Sequence, residues 1–83
     1  AEVDFLLTLG NEIIPVEVKS GSKGTIKSLH TFVIKKQAGR AIRVSSARPS
    51  VEHLEAKLNN QTRAFTLFNV PFYLINRLEQ LLA

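Results

Sequence analysis

Residues 2–19 read Glu2-Val3-Asp4-Phe5-Leu6-Leu7-Thr8-Leu9-Gly10-Asn11-Glu12-Ile13-Ile14-Pro15-Val16-Glu17-Val18-Lys19, and their reading decides the fold. Two β-prone runs flank Gly10-Asn11. A two-residue loop with glycine first suits a type II′ turn, which joins antiparallel strands without splaying them. With that loop Leu9 faces Glu12, and the register carries Asp4 opposite Glu17 and Glu2 opposite Lys19. Strand side chains alternate between faces. One face therefore carries Val3, Phe5, Leu7, Leu9, Ile14, Val16 and Val18, all apolar. The other gathers Glu2, Asp4, Glu17 and Lys19 at one end. The first face is expected to be buried, and the second holds the chemistry.

Two carboxylates facing each other are costly. At ~5 Å and an effective dielectric near 20 they repel by roughly 3 kcal/mol, falling below ~1 kcal/mol in bulk water. A hard divalent cation reverses that sign, and oxygen ligands suit Mg²⁺ or Mn²⁺. Lys19, two residues beyond Glu17, points to the same side and is placed to hold a phosphate or a nucleophilic water. The plainer alternative is a solvated strand face with both acids in water. Pro15 has no N–H, and a bulge there would shift Glu17 by one place against Asp4.

Outward from the hairpin, Ser20-Gly21-Ser22-Lys23-Gly24 reads as a loop. Thr25 or Ser28 caps a helix to about Gln37, with Ile26, Leu29, Phe32 and Val33 as its buried stripe. Gly39 is its expected stop. Ala41 to Ser45 reads as a short strand. Strand, helix and strand form a βαβ unit, so this strand should lie parallel to the Glu17 strand through a right-handed crossover. Ser50 is expected to cap a short helix, Val51 to about Leu58, because Val51, Leu54 and Leu58 fall on one helical side. Asn59-Asn60-Gln61 breaks it. Ala64 to Phe68 is β-prone. Pro71 opens a last helix from about Val70 to Leu82. The expected fold class is α/β, a small mixed sheet of about four strands flanked by helices, in one domain spanning residues 1–83.

Composition narrows the chemistry. The chain has 83 residues, 45% of them hydrophobic, and a net charge of +4. It has no cysteine, which excludes disulfides, zinc-thiolate sites and thiol catalysis and fits a reducing, cytoplasmic setting. No apolar run approaches the ~20 residues of a membrane helix. Lys23, Lys27, Lys35, Lys36, Arg40 and Arg43 cluster in the middle third. Of these, Lys23, Lys35, Lys36, Arg40 and Arg43 are candidate contacts to a polyanion such as nucleic acid. The competing reading is an ordinary solvated helix face. Gly21-Ser22-Lys23-Gly24 lacks the spacing of a phosphate-binding loop. His30 and His53 have no ligand partner at helical spacing and are expected at the surface. The chain opens inside a strand pattern without an initiator methionine, as expected of a piece of a longer protein.

Asp4, a turn, then Glu17-Val18-Lys19 resembles the PD-(D/E)xK nuclease signature of restriction enzymes and Holliday-junction resolvases. The wider set is Glu2-Val3-Asp4-Phe5, Ile14 to Gly21, Lys27-Ser28-Leu29, Ala41 to Ser45 and Asn69 to Leu74. In that order it resembles the C-terminal domain of unknown function that follows the ATPase module in bacterial and archaeal AAA-type ATPases. The resemblance implies a truncated restriction-endonuclease-like core whose leading helix and strand lie upstream. It implies Asp4, Glu17 and the Val18 carbonyl as weak Mg²⁺ or Mn²⁺ ligands, with Asp4, Glu17 and Lys19 as catalytic residues. It further implies a metal-dependent endonuclease or a degenerate nucleic-acid-binding descendant, with the isolated fragment nearly inactive. A non-catalytic docking module of the same ATPase, or a self-associating one, is the alternative. It rests on the apolar run from Phe65 to Leu82.

Overall fold

The computed structural model describes residues 3–18, 27–46 and 48–82. Among them the chain forms β1 (Phe5–Leu9), β2 (Glu12–Val18), α1 (Lys27–Lys36), β3 (Arg40–Ser45), β4 (Ser50–Leu58), β5 (Gln61–Pro71), a 3₁₀ segment (Phe72–Arg77) and α2 (Leu78–Leu82). The strands build one mixed sheet in the order β1-β2-β3-β5-β4. The α/β class stands, with five strands where about four were expected.

The hairpin register is the expected one. Phe5 faces Val16, Leu6 faces Pro15 and Leu9 faces Glu12. Gly10 takes φ +60, as the first turn position of a type II′ loop requires. Pro15 pairs directly with Leu6, without a bulge. Pairing of β2 to β3 starts only at Val16, so the missing N–H of Pro15 falls before that ladder begins. The βαβ unit also holds. β2 and β3 are parallel, with Val16 beside Ile42, Glu17 beside Arg43 and Val18 beside Val44. β3 and β5 are parallel as well.

The sheet has two covered faces. On one, α1 brings Leu29, Val33 and Ile34 against Ala41, Ala56, Phe65 and Leu67. On the other, Ile14, Val16, Ile42, Val44 and Val70 meet Leu78 and Leu82 of α2. Each buried aliphatic side chain contributes roughly 1.5–3 kcal/mol, so these two layers dominate stability.

Several expectations need correction. Residues 51–58 belong to a strand, β4, not a helix. Leu54, Ala56 and Leu58 alternate toward α1 while His53, Glu55 and Lys57 point outward. Leu58 faces Gln61 across the two-residue Asn59-Asn60 turn, where Asn59 takes φ +56. The C-terminal helix is shorter than expected: β5 runs through Pro71, a 3₁₀ segment follows, and only Leu78–Leu82 is α-helical. The α1 helix stops at Gln37, with φ +55, not at Gly39. The Ala38 N–H donates to the Val33 carbonyl at 3.0 Å, a Schellman closure in which Ala38 and Val33 share one apolar cluster. Phe5 is exposed at the β1 edge. Val3 packs with the α1-side cluster, while Val16 and Val18 pack with the α2-side cluster, because the strand pairing ends before Val3 is reached.

Candidate functional site

The strand ladder between β1 and β2 ends at Phe5 and Val16. Beyond it the Asp4 side chain takes over. The Val18 N–H donates to Asp4 Oδ2 at 2.8 Å, so a carboxylate stands where a strand carbonyl would otherwise accept. Asp4 therefore lies beside the Glu17-Val18 peptide without being a formal ladder partner of Glu17. Glu17 is 9% exposed, on the sheet face that carries α1. Lys19 and Lys23 lie outside the described residues, as do Glu2 and the loop reading of 20–24.

Three parallel strands end together here. Sheet register sets Glu17 beside Arg43 and Arg43 beside Asn69, and the antiparallel β4–β5 pair sets Asn69 beside Ser50. All four share one face, because registered neighbours in a sheet point the same way. Arg43 Nε donates to Asn69 Oδ1 at 2.9 Å. Asn69 Nδ2 donates to Ser50 Oγ at 3.0 Å and to the Glu52 carboxylate. Arg43 Nη2 lies 3.5 Å from Glu52 Oε2. The result is a polar row crossing four strands at the carboxyl ends of β2, β3 and β5, where open α/β sheets hold their ligands.

The other basic candidates stand elsewhere. Lys35 and Lys36 are exposed in the last turn of α1, which returns the chain to the start of β3 and hence to the opposite sheet end. Arg40 opens β3 on the α2 face. Its Nε and Nη2 donate to Glu12 at 2.9 and 2.6 Å, and its Nη1 donates to the Leu82 carbonyl at 2.9 Å. Hydrogen bonding to Arg40 lowers the Glu12 pKa and raises that of Arg40. Arg40 thus clamps the hairpin to the C-terminal helix. His30 is half-buried rather than at the surface. Its ring meets Phe65 edge-on at 5.5 Å, its Nε2 has no hydrogen-bond partner among the described residues, and burial lowers its pKa. His53 lies on β4 with Nδ1 3.4 Å from Thr66 Oγ1.

Asp4, Glu17 and the Val18 carbonyl are hard oxygen donors of the kind Mg²⁺ takes. No group of three or more His, Asp or Glu side chains gathers around a common point among the described residues. The set is therefore chemically apt but sparse. Asn69, Ser50 and Glu52 were not among the sequence candidates. The signal that would have found them is the Asn59-Asn60 turn. A two-residue loop there, with Leu58 opposite Gln61, carries Ser50 to Asn69.

The family model described as Domain of unknown function (DUF4143) matches residues 1–69. No curated protein and no solved structure matches.

Proposed function

The chain belongs to the DUF4143 family, a domain of unknown function, and from that premise we propose that it is a nuclease-like domain that binds nucleic-acid phosphate at the carboxyl ends of β2, β3 and β5. In the whole protein it would follow an AAA-type ATPase module in a cytoplasmic setting. One observation carries this reading: the Asp4 carboxylate on the Val18 N–H, immediately beside Glu17 at the end of a strand that enters a βαβ unit. Asp4, Glu17 and the Val18 carbonyl would hold Mg²⁺ or Mn²⁺. A metal bound there would supply charge neutralisation at the phosphate and a more acidic water. Lys19 would orient that water or stabilise the developing charge. Asp4 holds its orientation through the Val18 N–H.

The test is cleavage of DNA and RNA by the full-length parent with Mg²⁺ or Mn²⁺. Asp4→Asn and Glu17→Gln are expected to abolish metal-dependent cleavage, and Lys19→Ala to cut rate more than metal affinity. The 83-residue chain alone is expected to be nearly inactive. Cleavage unchanged in all three variants, or absent from the intact parent with either metal, defeats the enzymatic form of the proposal.

A docking role has its own support. Phe5 and Leu6 on the β1 edge are 57% and 56% exposed, and Tyr73 beyond β5 is 78% exposed. Apolar side chains on an edge strand favour association with another chain or a second copy. Metal-independent self-association or capture of the ATPase module by the purified domain would support this second reading.

A further inference from the structure

We infer that Arg43 is the residue that grips phosphate at this sheet edge, that Asn69 positions it, and that Glu52 competes with the phosphate for it. The inference rests on the nucleic-acid reading above. It assigns that role to one of five basic candidates and adds two residues that sequence reasoning passed over.

A guanidinium has five N–H donors in a planar fork suited to two-point phosphate binding. The Nε of Arg43 is spent on Asn69 Oδ1. Asn69 is 4% exposed, and its amide nitrogen is tied to Ser50 and Glu52, so its oxygen has one orientation and must face Arg43. That sets the plane of the guanidinium without consuming its terminal edge. Glu52 meets that edge at only 3.5 Å, an ion pair too long for a good hydrogen bond. The Arg43 and Glu52 side chains are 26% and 44% exposed, so solvent reaches the pair and a phosphate can replace the carboxylate. Arg43 also lies beside Glu17 in register, which puts the gripped phosphate next to the proposed metal ligands. Arg40, by contrast, has each of its three guanidinium nitrogens bonded, two to Glu12 and one to the Leu82 carbonyl.

The experiment has two arms, both in Mg²⁺-containing buffer. The first measures the rise in melting temperature with inorganic phosphate. The second measures oligonucleotide affinity against salt. Arg43→Gln is expected to remove most of the phosphate-induced rise and to lower the log–log salt slope by about one. Glu52→Gln is expected to tighten phosphate by roughly 3-fold, since it removes a weak competing charge. Asn69→Ala should weaken binding with the slope unchanged, because Arg43 keeps its charge but loses its orientation. A merely structural asparagine would lower the melting temperature without altering the phosphate response. Should Asn69→Ala fail to fold, the two surface variants decide. Salt-dependent oligonucleotide binding that is indifferent to Arg43→Gln overturns the inference and leaves the nucleic-acid reading standing. Absent oligonucleotide binding defeats that reading, and the phosphate arm still judges Arg43. No phosphate response in the unmodified protein, or no tightening in Glu52→Gln, overturns the inference.

Discussion

Two residues show how far a side chain's role depends on partners distant in sequence. Arg40 sits in a basic segment and reads as a phosphate contact, yet it binds Glu12, 28 residues earlier, and the Leu82 carbonyl, 42 residues later. Arg40→Ala is expected to cost about 1–2 kcal/mol, because a bidentate pair exceeds an ordinary surface ion pair. A lower urea midpoint at an unchanged m-value is the check. The pH dependence follows from the lowered Glu12 pKa. The unfolded carboxyl titrates near 4.5, so the pair's stabilisation is present above that value and is lost as pH falls through the lower folded pKa. Arg40→Ala should therefore flatten the acid limb of the stability profile. His30 acts in a higher window. Its folded pKa lies below the ordinary 6.5 because its ring is buried. Above 6.5 both states are neutral. As pH falls below it the unfolded chain takes up protons first, and stability drops until pH passes the depressed folded value. His30→Leu should remove that decline in urea melts between pH 7 and 5, and an unchanged decline would assign it to other groups.

Among elements, those governed by local rules were legible and those governed by packing were not. The Gly10-Asn11 loop dictates the hairpin register, and the strand–helix–strand order dictates the parallel pairing of β2 and β3. β4 was misread because Val51, Leu54 and Leu58 satisfy a helical spacing by coincidence. Its true pattern places Leu54, Ala56 and Leu58 toward α1, and a lone alanine among charged residues is a weak period-two signal. That misreading hid half of the candidate site. Asp4 and Glu17 were readable from motif and register, but Glu52 and Ser50 became neighbours of Asn69 only once β4 paired with β5. The end of α1 was missed for a different reason. Gly39 is the residue best suited to a left-handed position, yet the chain places Gln37 there at φ +55. Gln37→Gly removes the Cβ penalty of that conformation and should stabilise by ~0.5–1 kcal/mol. A higher urea midpoint checks it. The Arg63 contacts to the Gln37 and Ala38 carbonyls come from backbone oxygens and should survive the change.

At the scale of the whole molecule the sheet has a polarity. At the starts of its parallel strands lie the Arg40 clamp and the end of α1 with Lys35 and Lys36. At their finishes lie Asp4, Glu17, Arg43 and Asn69. The basic candidates are therefore not one patch: Lys35, Lys36 and Arg40 gather toward the strand starts, while Arg43 stands three residues beyond Arg40 on β3. Each strand residue advances ~3.3 Å, so Arg43 lies roughly 10 Å along β3 from Arg40, about one Debye length at ~0.1 M salt. A phosphate at Arg43 is therefore partly screened from the cations at the strand starts. Substituting Lys35 and Lys36 together with glutamine should consequently change oligonucleotide affinity by less than about 3-fold at ~0.1 M salt and leave the salt slope nearly unaltered, whereas Arg43→Gln should lower the slope by about one. The double substitution removes two positive charges and Arg43→Gln removes one, so an effect of net charge alone would rank the two variants the other way. A response that tracks net charge instead of position would show a diffuse electrostatic encounter, with nucleic acid spread over both ends. A response confined to Arg43 would place the phosphate at the strand finishes, beside the carboxylates that nuclease chemistry requires.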